Sequence, residues 1–124
     1  MFFSRRAGHR FIDRGDPELN DFVWSDLTLD GNWHDLDLSG IIPKGTVLVL
    51  LRVANENDIV GAAFDCRRKG CVYQRNFSAV HCFVSNLYNN QDVLVIPDKN
   101  RVIEYLGNEG ATSGISLVIG GWWI

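Results

Sequence analysis

The 124-residue chain has no apolar run approaching the roughly 18 residues that a helix needs to cross a bilayer, so membrane insertion is not expected. It has no excess of basic charge. Twelve Lys and Arg stand against 15 Asp and Glu, a formal net charge of −3, which argues against a nucleic-acid partner. Cysteine is scarce and odd in number: Cys66, Cys71 and Cys82 exclude a fully paired internal disulfide framework. Internal repeats, low-complexity tracts and any sustained 3.6-residue apolar stripe are missing too, so helices are not expected to build the fold. Nor does the chain contain G-x-S-x-G, H-E-x-x-H or a phosphate-cradling glycine loop. Ser4-Arg5-Arg6 is followed by a polar stretch, Gly8 to Pro17, where an export signal needs an apolar one. No signal peptide is expected, and the chain reads as made in the cytoplasm.

What is present is strand after strand with turn punctuation. Trp33 to Leu38 alternates, with Leu36 and Leu38 inward and Asp35 and Asp37 outward. A Ser39-Gly40 and Pro43-Lys44-Gly45 elbow follows, and Val47 to Val53 is apolar at nearly every position, as befits a strand in the middle of a sandwich. Further strands are expected at Phe22–Leu29, Ile59–Cys66, Cys71–Gln74, Ala79–Leu87, Val93–Ile96, Arg101–Leu106 and Ile115–Trp123. Asp30-Gly31-Asn32, Asn55 to Asp58, Tyr88 to Asp92, Pro97 to Asn100 and Gly107 to Gly114 separate them. About nine short strands at this spacing predict an all-β, antiparallel β-sandwich of jelly-roll-like or Greek-key topology over residues 21–124. Residues 1–20, with four Arg, two Gly and a Pro and no periodicity, read as an N-terminal arm or linker.

The run from Leu27 through Trp33-His34-Asp35-Leu36-Asp37-Leu38 to Pro43-Lys44-Gly45 and Val47–Val53 resembles β-sandwich domains of bacteriophage tail-fibre and other virion-associated proteins. Related bacterial cell-surface modules share the pattern. Phe64 to Gly70, Arg101 to Tyr105 and Gly120-Gly121-Trp122-Trp123 follow it in order, so the resemblance spans residues 22–124. It implies a structural or adhesive module of a phage particle or bacterial surface, located on the virion or cell exterior as part of an assembly. It supplies no catalytic residues, and neither the basic arm nor the cysteines belong to the pattern.

The residues themselves offer no catalytic set, and no cofactor is expected. His81 and Cys82 are adjacent in a strand and so point to opposite faces, which keeps them from forming a thiolate–imidazole pair. Asp30, Asp35 and Asp37 with His34 are better read as a solvated strand face than as a calcium site. The cysteines read as small buried hydrophobes, with a Cys66–Cys71 bridge across the Arg67-Arg68-Lys69-Gly70 tip as the alternative; a zinc site would need a fourth ligand. The Arg67-Arg68-Lys69 tip could meet phosphate or an acidic glycan, against the plainer reading of a charged, soluble turn. Arg14-Gly15-Asp16 is read as a chance match without an animal extracellular context, and Asn76-Phe77-Ser78 is a glycosylation sequon only if the chain passes through a eukaryotic secretory route.

Two recognition surfaces remain. Sugar binding needs an aromatic platform with amide and carboxylate groups. Tyr88, Asn89, Asn90 and Asp92 provide that mixture, and Asn55 and Asn57 its polar half, so these six residues are the candidate ligand-binding set. The other surface is Trp122, Trp123 and Ile124: adjacent Trp residues cannot both enter one core, so one must lie against a neighbouring strand, the N-terminal arm or another subunit. That makes these three the candidate interface of an expected homo-oligomer. Possible partners are therefore glycans or other particle subunits.

Overall fold

A computed structural model describes residues 8–57, 59–107 and 114–124, and they form two antiparallel sheets packed face to face. The strands are β1 (Phe11–Asp13), β2 (Phe22–Val23), β3 (His34–Asp37), β4 (Leu48–Asn55), β5 (Ala63–Arg68), β6 (Ser78–His81), β7 (Asn89–Val95), β8 (Val102–Gly107) and β9 (Ile115–Trp123). One sheet runs β1-β9-β4-β7 with β2 also paired to β9; the other runs β3-β8-β5-β6. First pairs with last throughout: β1 and β2 with β9, β3 with β8, β4 with β7, and β5 with β6. A long hairpin rolled over itself in this way is a jelly roll.

Alternation builds the core. Val49, Leu51 and Val53 of β4 and Ile115, Leu117 and Ile119 of β9 project from one sheet onto Leu36, Phe64, Val80 and Ile103 of the other, all buried. Phe64 stacks on Tyr105 at 5.8 Å between ring centroids. The register of β4 against β9 slips between Leu50 and Leu51, where Gly120 is the extra residue of a β-bulge. That slip reverses the parity of the last turn of chain. Ile119 faces the core, and after the bulge so does Trp122, opposite buried Val49, while Trp123 faces outward.

Several boundaries differ from expectation. Phe11–Asp13 is a strand within the segment read as an arm, because its backbone completes the edge of β9; residues 1–7, including Ser4-Arg5-Arg6, lie outside the described residues. The strand expected at Phe22–Leu29 ends at Val23 in a single 3₁₀ turn, Trp24–Asp26. Cys71–Gln74 is loop: Gly70 turns the chain away with φ near +90°, and no strand among the described residues pairs with this stretch. The expected Ala79–Leu87 strand stops at His81, whereas β7 starts four residues early, at Asn89. Asp58 and residues 108–113 of the expected Gly107–Gly114 turn lie outside the described residues.

Candidate functional site

The early start of β7 matters most for the site. Asn and Asp disfavour strands, but β4 offers a full ladder to them, and tertiary pairing wins. Asn90 lies opposite Ala54 and Asp92 opposite Arg52, while on the far side of β4 Ser116 and Val118 of β9 oppose the same two residues. Two outward rows result, Asp92–Arg52–Val118 and Asn90–Ala54–Ser116. They floor an open concavity of about 450 Å³ on the outer face of the five-stranded sheet, with Asn20 at its rim. A second hollow of about 300 Å³, walled by Gly15 to Asn20, shares Asn20, Arg52 and Val118 with it, so the two form one groove.

The wall is pinned by chemistry at the bulge. Between β1 and β2 the chain loops out over residues 14–21, leaving the edge of β9 that faces away from β4 without a strand partner there. Asp21 accepts from the Ile119 N–H at 2.7 Å, and Arg14 donates to the Ile119 carbonyl at 3.2 Å. Arg14 and Asp21 form a two-pronged ion pair with each other, the second prong at 2.8 Å, and this holds the Arg14 guanidinium above its ordinary pKa. Arg14 is thereby committed within the chain, which leaves the Arg14-Gly15-Asp16 tripeptide without a free arginine. Arg52 pairs with Asp92 at 3.3 Å, but both are more than half exposed, so the pair is weak and open to exchange with a ligand.

Of the six residues expected to bind ligand, Asn90 and Asp92 line this groove. Tyr88 is 61 % exposed but lies outside the lining. Asn89 donates to the His81 carbonyl at 2.6 Å and faces the opposite way. The expectation for Asn55 and Asn57 is corrected. Both are buried, and Asn55 donates to the carbonyls of Ala62 and Val80 at 3.2 and 2.9 Å while accepting from Asn57 at 3.0 Å. They clamp one sheet to the other. Arg52, Ser116 and Asn20 were not anticipated; the available signal was Arg52, the lone charge within the apolar run of β4.

The candidate interface is likewise partly absorbed within the chain. Trp122 packs partly buried on the core, Trp123 lies against Phe11 with centroids 4.7 Å apart, and Ile124 exchanges backbone hydrogen bonds with Arg10 at 3.0 and 3.1 Å. The partner for the stranded Trp is therefore the N-terminal segment. Trp123 nonetheless belongs to an apolar outward band with Phe11, Leu48, Leu50 and Leu94 at the other end of the same sheet face. Leu94 is 54 % exposed.

On the side of the four-stranded sheet Asp35, Glu104, Asp30 and Asp37 are individually engaged. Asp35 opposes Glu104 across β3 and β8, a like-charge pair relieved by Lys69 on Asp35 at 2.6 Å and Arg67 on Glu104 at 2.8 Å. His34 bonds Asp30 at 2.8 Å and draws its carboxyl below the usual range, and the Ser39 N–H does the same for Asp37. No group of three or more His, Cys, Asp and Glu suited to a metal occurs among the described residues. All three thiols are free, Cys66 and Cys82 buried, so the Cys66–Cys71 bridge is not formed. Among known family models, curated proteins and solved structures nothing matches the chain.

Proposed function

We propose that this chain is a non-enzymatic adhesive module of a phage particle or bacterial surface, and that it binds carbohydrate along the groove on its five-stranded sheet. The observation that carries this reading is the convergence of Asn90, Asp92, Arg52, Ser116 and Asn20 on one open concavity. Amide, carboxylate, guanidinium and hydroxyl groups suit the paired donor–acceptor character of sugar hydroxyls. A rigid sheet floor holds them at fixed spacing, which lowers the ordering cost of binding. An open groove of this size implies weak single-site affinity, raised by multivalent display.

A neutral-glycan array followed by calorimetry tests this. Asp92→Ala and Asn90→Ala are expected to weaken a hit about tenfold each, the loss of one or two hydrogen bonds. An array without hits, or hits indifferent to both substitutions, overturns the reading. A second reading, self-association, is favoured by the apolar band Phe11, Trp123, Leu48, Leu50 and Leu94 on the same face. Its occupant is a second copy of the chain. Sedimentation is expected to show concentration-dependent association abolished by Leu94→Glu; a strict monomer refutes it.

A further inference from the structure

The mouth of the sandwich between the ends of β5 and β7 is a second concavity, of about 300 Å³. On β5 the inward side runs Phe64, Cys66, Arg68; the first two are buried in the core, and Arg68 is exposed where the inter-sheet space opens. The three cations of the 67–69 tip have different fates. Arg67 is held by Glu104 at 2.8 Å and lies 3.9 Å over the Trp33 ring, and Lys69 is held by Asp35. Arg68 has no acidic partner among the described residues, nor does Arg75, and both line this concavity. No Asp or Glu among the described residues lines it. An acid-free hollow with two unpaired guanidiniums, on a chain of net charge −3, concentrates anions locally.

We propose that this mouth binds an anionic sugar, a carboxylate- or sulfate-bearing saccharide unit, with Arg68 and Arg75 as its anion clamp. The guanidinium fork matches the paired oxygens of either group. The rest of the lining suits a sugar rather than a bare anion. Leu94, Ile96 and Phe77 present apolar surface for the C–H face of a ring, and Ser78 adds a hydroxyl. A nucleic acid fits less well, since two cations on an acidic chain neutralise little of a phosphate backbone. The site is separate from the outer groove and does not depend on it.

The test is calorimetric titration of the full chain with four probes: an oligogalacturonate, a heparin-derived oligosaccharide, a neutral dextran oligosaccharide and polyphosphate. At least one of the first two is expected to bind, at least tenfold tighter than dextran or polyphosphate. Binding of the oligogalacturonate assigns a carboxylate, and binding of the heparin oligosaccharide alone, which carries both groups, assigns the sulfate. Arg68→Gln and Arg75→Gln are each expected to weaken that binding by roughly tenfold or more, as for a lost charge-assisted pair. Asp92→Ala is expected to leave it unchanged, and thermal melts check that each variant is folded. The proposal is overturned if neither anionic saccharide binds, if polyphosphate binds equally well, or if both Arg variants retain full affinity. A loss caused by Asp92→Ala overturns it as well, by putting the saccharide in the outer groove.

Discussion

Replacing Asn55 isolates what holds the two sheets in register. Its side chain, fully buried at the end of β4, donates to Val80 of β6 at 2.9 Å and to Ala62 just before β5 at 3.2 Å, and it accepts from Asn57 at 3.0 Å. Asn55→Ala removes three buried hydrogen bonds worth about 1 kcal/mol each net, so a loss of about 3 kcal/mol is expected. For a chain of this length that lowers the midpoint by on the order of 10 °C. Asn55→Asp keeps the volume but turns the donor into an oxygen aimed at two carbonyls. At neutral pH it strands a buried charge, costing about 3–5 kcal/mol. Burial among acceptors raises the folded pKa of the new carboxyl above its unfolded value of roughly 3.9. The variant is therefore most stable below that value and loses stability as pH rises through the window up to the folded pKa. Urea melts of the wild type and both variants at several pH values measure this. An Asn55→Asp penalty under about 1 kcal/mol at pH 7, or one that does not shrink on acidification, refutes the clamp.

Other perturbations address other parts of the scaffold. A Cβ on Gly121 would collide with the Phe11 ring and the Ile12 carbonyl, so Gly121→Ala should lift β1, cost about 1–3 kcal/mol and speed amide exchange at Phe11–Asp13; unchanged exchange there counts against β1 docking. Asp65 has a buried oxygen without a partner among the described residues, and desolvation raises its pKa, with His81 partly opposing. A raised folded pKa costs stability as pH climbs through the window above the ordinary value, so Asp65→Asn should gain on the order of 1 kcal/mol at pH 7 and little in acid. A variant less stable than wild type at pH 7 would show that the carboxylate has a role after all. Ellman's reagent should modify Cys71 quickly and Cys66 and Cys82 only on unfolding, because burial and the neighbouring Asp65 push the Cys66 thiol well up; three equal rates would contradict this.

The sandwich was legible because its strands obey a strict two-residue rule where both partners are apolar. Ile115–Trp123 is recovered residue for residue, and the elbow after Leu38 sits where Pro43 and Gly45 put it. Legibility fails where pairing overrides composition. Asn89–Asp92 looks like a turn in isolation and is a strand only because β4 extends to Asn55 beside it. The same reason explains the groove: its floor is shared among β4, β7 and β9, which are far apart in sequence, and no local spacing announces three such rows. Asn55 and Asn57 mislead differently. Polar residues at a strand end suggest a wet loop, yet here they satisfy carbonyls of the other sheet.

The bulge at Gly120 links these findings. Strict alternation from Ile119 would send Trp123 to the core and Trp122 outward; one extra residue exchanges them. The exchange sets Trp123 against Phe11 and so recruits the N-terminal segment as an edge strand. The β9 backbone beside the bulge is then taken up by Arg14 and Asp21, which fixes the excursion of residues 14–21 as the wall of the outer groove. Gly120 itself leaves room for the Arg52 guanidinium, which a Cβ there would approach to 3.3 Å. Fold and candidate site therefore share one backbone irregularity. Deleting Gly120 should shift both at once: Trp fluorescence through the exchanged indoles, and glycan affinity through the displaced wall. A deletion variant that keeps both unaltered would separate the groove from the bulge.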